Sequence, residues 1–212
     1  MQQKNLYQNS GIKTCLIFLN SFFLINYFSY IKSLIKKIKY FKNNNIDMKN
    51  KYTKGILVLI GLIVISQLVG IFSEMLSSSV SSSSFKTTYT ELNQPSFSPP
   101  SWIFGPVWTI LYTLMGISAY IVYKKGIENP DVKVSMVLFF LQLVLNFLWS
   151  TIFFGLSNPM LAFIEIVILW GFIMAMIISF KKVSRAAAYL QLPYILWVSF
   201  AAILNFTIWV IN

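Results

Sequence analysis

The chain has 212 residues, 57% of them hydrophobic and only 11% charged, with a mean hydropathy of +0.68. A water-soluble domain of this length needs far more polar surface, so composition points instead to a polytopic helical membrane protein. The formal net charge is +11, but the lysines gather in joints between apolar blocks, where they orient the chain and meet anionic lipid, and no nucleic-acid partner is expected.

Residues 1–48 read as an N-terminal extension, distinct from a membrane domain over 49–212. Within the extension, 16–31 reads LIFLNSFFLINYFSYI, apolar but short for a span and interrupted by Asn20 and Asn26. The lysines that follow it and the lack of a small-residue cleavage site argue against an ordinary secretory signal. A tilted or interfacial helix, a non-cleaved anchor and a poorly ordered extension remain open.

The first span is expected over about 54–72, KGILVLIGLIVISQLVGIF. In lipid the unpaired backbone costs more than β-branched residues do, so helix wins. The serine tract 77–84 has little to bury and reads as an exposed or mobile loop. Tyr89 to Pro100, YTELNQPSFSPP, holds aromatic and proline residues that could fold back as a lid. The second span covers about 103–123, with Pro106 near its start where a missing amide proton costs little. The third covers about 134–154 and carries Gln142, Asn146 and Ser150 on one helical face. That stripe is either glue between helices or the polar wall of a cavity.

The fourth span, about 160–180, carries Glu165. A carboxylate there should face the bundle, paired or protonated, with Asn146 or Asn205 as candidate partners. The last span, about 187–210, is interrupted by Pro193, which should bend it. Asn205 lies deep in this segment. Glu165 and Asn205 are therefore structural intramembrane polar candidates. Gly116 with Ala119, or Gly61 with Ser66, offer small-residue faces for a homodimer.

Charge sets the topology. Lysines 32–54, then Lys124, Lys125 and Lys133, then Lys181, Lys182 and Arg185 mark alternate joints. The remaining joints hold only Lys86 as a base, beside Glu74 and Glu91. This alternation fits an all-α bundle of five transmembrane helices, a multi-pass protein of the cell membrane with its basic joints in the cytoplasm.

With one cysteine, Cys15, and no histidine, an intrachain disulfide and histidine-based chemistry are excluded. No phosphate-binding loop, metal cluster or nucleophile–base constellation stands out, so no catalytic residue, metal or cofactor is assigned. The six tryptophans are the more unusual asset. The stretch 97–120, FSPPSWIFGPVWTILYTLMGISAY, opens on a stiff proline corner and runs into an apolar helix. Trp102 and Trp108 then stand near the hydrocarbon boundary, as the mouth of a site for a flat apolar ligand or as an interfacial anchor. Trp108, Trp149 and Trp197 are cavity candidates, each beside small or polar residues, with faces able to stack on a planar macrocycle or sterol.

Four segments together resemble the translocator protein family, which includes the bacterial tryptophan-rich sensory proteins and the peripheral-type benzodiazepine receptor. They are QPSFSPPSWIFGPVWTILYTLMGISAY at 94–120, LQLVLNFLWSTIFFG at 141–155, AFIEIVILW at 162–170 and LPYILWVSFAAILNFTIW at 192–209. The resemblance implies five packed helices, usually dimeric, around a pocket opening toward the first loop. It implies binding of porphyrins such as protoporphyrin IX, and of sterols or benzodiazepine-type ligands in many members. Sensing, transport and light-dependent porphyrin degradation are the roles it suggests. Carried over by position, the pocket tryptophans fall on Trp108 and Trp197, the polar position of helix three on Asn146 followed by Trp149, the carboxylate on Glu165 and the small helix-five residue on Ala201. Phe97 stands where the family commonly has tryptophan and can stack without offering an indole proton. Asn146 is followed by Phe147, and the chain runs FTIWVIN without the base that completes the animal sterol motif.

Overall fold

A computed structural model describes residues 32–33, 36–37, 39–40, 52–81, 89 and 92–212. The chain divides into two units, Met1–Lys54 and Gly55–Asn212. In the first, the described residues before 41 are helical and exposed; the apolar run 16–31 and Cys15 lie outside the described residues.

Among the described residues, five helices are long and apolar enough to cross a membrane, and the protein is a multi-pass, all-α integral membrane protein. Helix α1 covers Tyr52–Ser81. A 3-10 turn, Ser101–Ile103, leads into α2, Phe104–Tyr123. Helix α3, Pro130–Ser150, continues as a π turn over Thr151–Gly155. Helix α4 is Pro159–Val183. The last crossing is made of two pieces, α5, Arg185–Tyr189, and α6, Leu192–Ile211.

The starts of α3 and α4 are set by capping chemistry. Asn129 and Asn158 accept hydrogen bonds from the amides of Asp131 and Leu161, and each precedes a proline in the first helical turn, where the absent N–H is no loss. Asn129 and Pro130 therefore open the third crossing rather than sit in a joint before it, and the helix begins four residues earlier than expected. Pro193 behaves the same way. It does not kink a continuous helix; the chain breaks at Leu190 and Gln191, and Pro193 lies in the first turn of α6.

The serine tract departs from expectation most. Ser77 to Ser81 continue the helix, and hydroxyls fold back onto carbonyls one turn earlier: Ser77 onto Ser73 at 2.7 Å, Ser79 onto Met75 at 2.8 Å and Ser81 onto Ser77 at 2.9 Å. Such back-bonding hides hydroxyls from lipid without unwinding the helix. Ser77 also donates to the Ser150 carbonyl at 3.1 Å, tying α1 to α3. Residues 82–84 lie outside the described residues.

Helices α1 and α2 cross closely at Gly116, where an added Cβ would stand 2.6 Å from the Cα of Ile63. Gly116 and Ala119 are thus buried within the chain's own bundle, as is Ser66, whose hydroxyl bonds back to Leu62. Small residues there join helices of one molecule, so Gly116 with Ala119 is not a dimer face. Gln67 clips the same crossing, donating to the Thr109 carbonyl at 2.9 Å and to the Thr113 hydroxyl at 3.0 Å. Helix α4 packs along α3 and α6, around a core including Met115, Phe139, Ile173 and Phe180. The basic joints, Lys124, Lys125 and Lys133 with Lys181, Lys182 and Arg185, are exposed.

Candidate ligand-binding cavity

A cavity of about 410 Å³ opens between α1, α2 and α3, within the roughly 300–1,000 Å³ usual for small-molecule sites. Each helix supplies one face. From α1 come Gln67, Gly70, Glu74 and Ser77, at the spacing of a single helical stripe. Phe104, Trp108 and Tyr112 descend α2 four residues apart, with Trp102 at the start of the descent. Asn146, Trp149 and Ser150 come from α3, and Phe154 from the π turn. In that turn the Leu156 amide reaches back five residues to the Thr151 carbonyl at 3.0 Å. The wider register re-aims the aromatic residues: Phe153 stacks on Trp149 at 5.4 Å while Phe154 reaches the cavity. π turns of this kind recur at functional sites.

The floor of the cavity is held by a directional chain of hydrogen bonds. The Tyr112 hydroxyl donates to Asn146 Oδ1 at 2.7 Å, Asn146 Nδ2 donates to the Tyr194 hydroxyl at 3.1 Å, and Tyr194 donates to Gln142 Oε1 at 2.8 Å. Every link joins two helices. Trp108 stacks on the Tyr112 ring at 5.2 Å and meets Tyr194 edge-on at 6.3 Å, so the indole and the floor are fixed together. Both readings of the polar stripe on α3 apply: fully buried Gln142 binds helices, whereas Asn146 and Ser150 reach the cavity wall.

Trp102, Trp108, Asn146 and Trp149 are therefore brought to one wall. Trp197, Ala201 and Phe97 are not on it. Trp197 packs edge-on against Phe104 at 5.9 Å, Phe97 meets Phe200 at 6.4 Å, and Ala201 is buried in the core. Asn205 accepts from Trp149 Nε1 at 3.1 Å and donates to the Pro159 carbonyl at 2.8 Å, buttressing Trp149 from behind. Glu165 is buried, and neither carboxyl oxygen has a hydrogen-bond partner among the described residues. The proposed partners are engaged elsewhere, Asn205 with Trp149 and Asn146 with the two tyrosines, so the expected pairing does not form.

The described part of the first loop folds back, as its aromatic and proline content suggested. Tyr89 is buried against Phe104 at 5.2 Å and donates from its hydroxyl to the Pro99 carbonyl at 3.1 Å. Burial pushes the Tyr89 hydroxyl above its ordinary pKa, partly offset by Ser98. Asn212 clamps the loop further along, accepting from the Asn93 amide at 2.9 Å and donating to its carbonyl at 3.0 Å.

Sequence reasoning missed Tyr112, Gln67, Gly70 and Glu74. The signal for Tyr112 was its four-residue spacing from Trp108. Gln67 and Gly70 gave only a polar and a small position on an apolar helix, which looks like helix-packing glue, and Glu74 falls beyond the span expected over 54–72, in a joint.

Five membrane-crossing helices, three of them walling an aromatic cavity, define a class of small polytopic membrane proteins with receptor-like architecture. The chain belongs to the TspO/MBR family, whose model matches residues 62–210. It is 47% identical over 124 residues to the tryptophan-rich protein TspO of Chlorobaculum tepidum, covering 58% of this chain and 78% of that protein. The tryptophan-rich protein TspO of Archaeoglobus fulgidus is 44% identical over 129 residues, covering 61% and 82%. The human translocator protein is 37% identical over 122 residues, covering 57% and 72%.

Proposed function

We propose that the protein is a membrane receptor or sensor for porphyrins such as protoporphyrin IX, held in the cavity between α1, α2 and α3. The observation that carries this reading is the convergence of Trp102, Trp108, Tyr112 and Trp149 on one cavity in a chain of the TspO/MBR family. A flat macrocycle slides along the Trp108 face, and burial of its apolar surface supplies roughly 25 cal/mol per Å² before ordering costs. The Tyr112–Asn146 floor orients the ring, and Trp102 covers the part that projects from the mouth. Sterols and benzodiazepine-type ligands are further candidates for the same apolar walls. A homodimer, if formed, uses a face other than Gly116 with Ala119.

Porphyrin absorbance titration of the purified protein in detergent tests the proposal. Saturable binding with a shifted Soret band is expected, and a linear, unsaturable response from folded protein would refute it. Light-dependent degradation is a weaker second reading. It draws on the oxidisable Trp108–Tyr112 stack at the cavity, and loss of porphyrin absorbance only under illumination and only with Trp108 present would favour it.

A further inference from the structure

Hydrogen-bond donors on the cavity wall are largely engaged within the protein. Gln67 Nε2 donates to two partners on α2. The hydroxyls of Ser73, Ser77 and Thr109 bond back to carbonyls of their own helices. Tyr112 donates to Asn146 and Trp149 to Asn205. Among the described wall residues, Ser101, Trp102, Trp108, Ser150 and the second amide proton of Asn146 keep a donor uncommitted. Acceptors remain available: Gln67 Oε1, the hydroxyl lone pairs and, above all, the carboxylate of Glu74.

Glu74 stands on the cavity stripe of α1, is exposed, and makes no hydrogen bond or ion pair with the described residues. No described wall residue is basic. A wall rich in acceptors, with one free carboxylate and indole rings beside it, is poorly matched to an anion. It is well matched to an organic cation, which gains from the carboxylate and from the negative faces of the rings.

We propose that the cavity selects planar ligands carrying a cationic group, such as an ammonium, held by Glu74 against the indoles of Trp102 and Trp108, over ligands whose polar groups are carboxylates. The inference rests on the porphyrin-receptor reading and narrows it to a charge class. A porphyrin with acidic side chains then binds with those groups turned away from Glu74.

The test uses the full chain in an uncharged detergent at low ionic strength, with three probes sharing one macrocycle: protoporphyrin IX, its dimethyl ester, and its diamide with ethylenediamine. The diamine should bind most tightly and the diacid least. Glu74→Gln should shrink the diamine's advantage over the ester about threefold to fivefold, the scale of one exposed charge pair. The readout is the diamine-to-ester ratio within each variant, and Glu74→Lys should bring the diacid ahead. A diamine-to-ester ratio that is the same in wild type and Glu74→Gln would overturn this inference while leaving the receptor reading in place. Absence of saturable binding by all three probes would overturn that reading, and this inference with it.

Discussion

The two sides of the bundle use the same residue types for opposite ends. Between α1, α2 and α3, tryptophan and polar side chains border open space. Trp108 and Trp149 offer ring surface to a cavity, and Asn146 is locked by two tyrosines at its floor. On the side where α6 meets α2 and α4, Trp197 packs among Phe104 and Phe200, its buried indole nitrogen without a partner among the described residues. Glu165 is likewise buried without a hydrogen-bond partner among the described residues. The difference teaches that tryptophan richness alone does not mark a site. The wall is made where small residues let α1 and α2 cross while π geometry widens the end of α3.

The sharpest way to break the cavity side is at its hinge. Gly116→Ala places a Cβ against Ile63 backbone, which cannot yield as a side-chain tip would. It should cost about 1–3 kcal/mol, read as a lowered thermal midpoint in detergent, and should weaken porphyrin binding by moving α1. Gly61→Ala, with nothing within 4 Å of the new methyl, should change neither. Equal effects of the two would mean that the crossing does not depend on Gly116.

A smaller effect is expected at the buttress between the two sides. Asn205→Leu strands Trp149 Nε1 and the Pro159 carbonyl together, for about 1 kcal/mol of stability. Because Trp149 also lines the cavity, porphyrin affinity should fall in parallel. Unchanged stability would show that Trp149 is held by ring packing alone.

The smallest effect concerns Glu165, and its sign is informative. Had the carboxyl joined α4 to a polar neighbour, leucine would destabilise the bundle. With neither oxygen bonded among the described residues, Glu165→Leu removes an uncompensated buried polar group and should leave stability unchanged or raise it by up to about 1 kcal/mol. Glu165→Gln should behave like wild type in porphyrin titration. A clear loss of thermal stability in the leucine variant would reveal a partner for the carboxyl group.

Much of the fold was legible because a bilayer imposes its own periodicity: apolar blocks of the right length, separated by basic and non-basic joints, give five crossings and their order. Boundaries were less legible. The serines at 77–81 resemble a loop by composition, yet they continue α1 with hydroxyls bonded back one turn. Asn-Pro at 129–130 and 158–159 reads as a turn until the amide cap is seen. At the site, the descent from Trp108 to Asn146 was accessible through motif spacing. The exclusion of Trp197 and Ala201 from the wall was not, since it depends on how Phe104 and Phe200 fill the space between α2 and α6.

The central claim is that the cavity bordered by Trp108 holds the ligand while Trp197 is packing. The direct test is a paired porphyrin absorbance titration and thermal denaturation of Trp108→Ala and Trp197→Ala in the full-length protein. Trp108→Ala should weaken binding about tenfold, the loss of roughly 1.4 kcal/mol of stacking and burial, with the smaller fall in thermal midpoint of the two variants. Trp197→Ala should lower the midpoint more and leave the affinity of the remaining folded protein within about twofold of wild type. The reverse pattern, with binding lost at Trp197 and retained at Trp108, would contradict the account and move the ligand to the other side of the bundle.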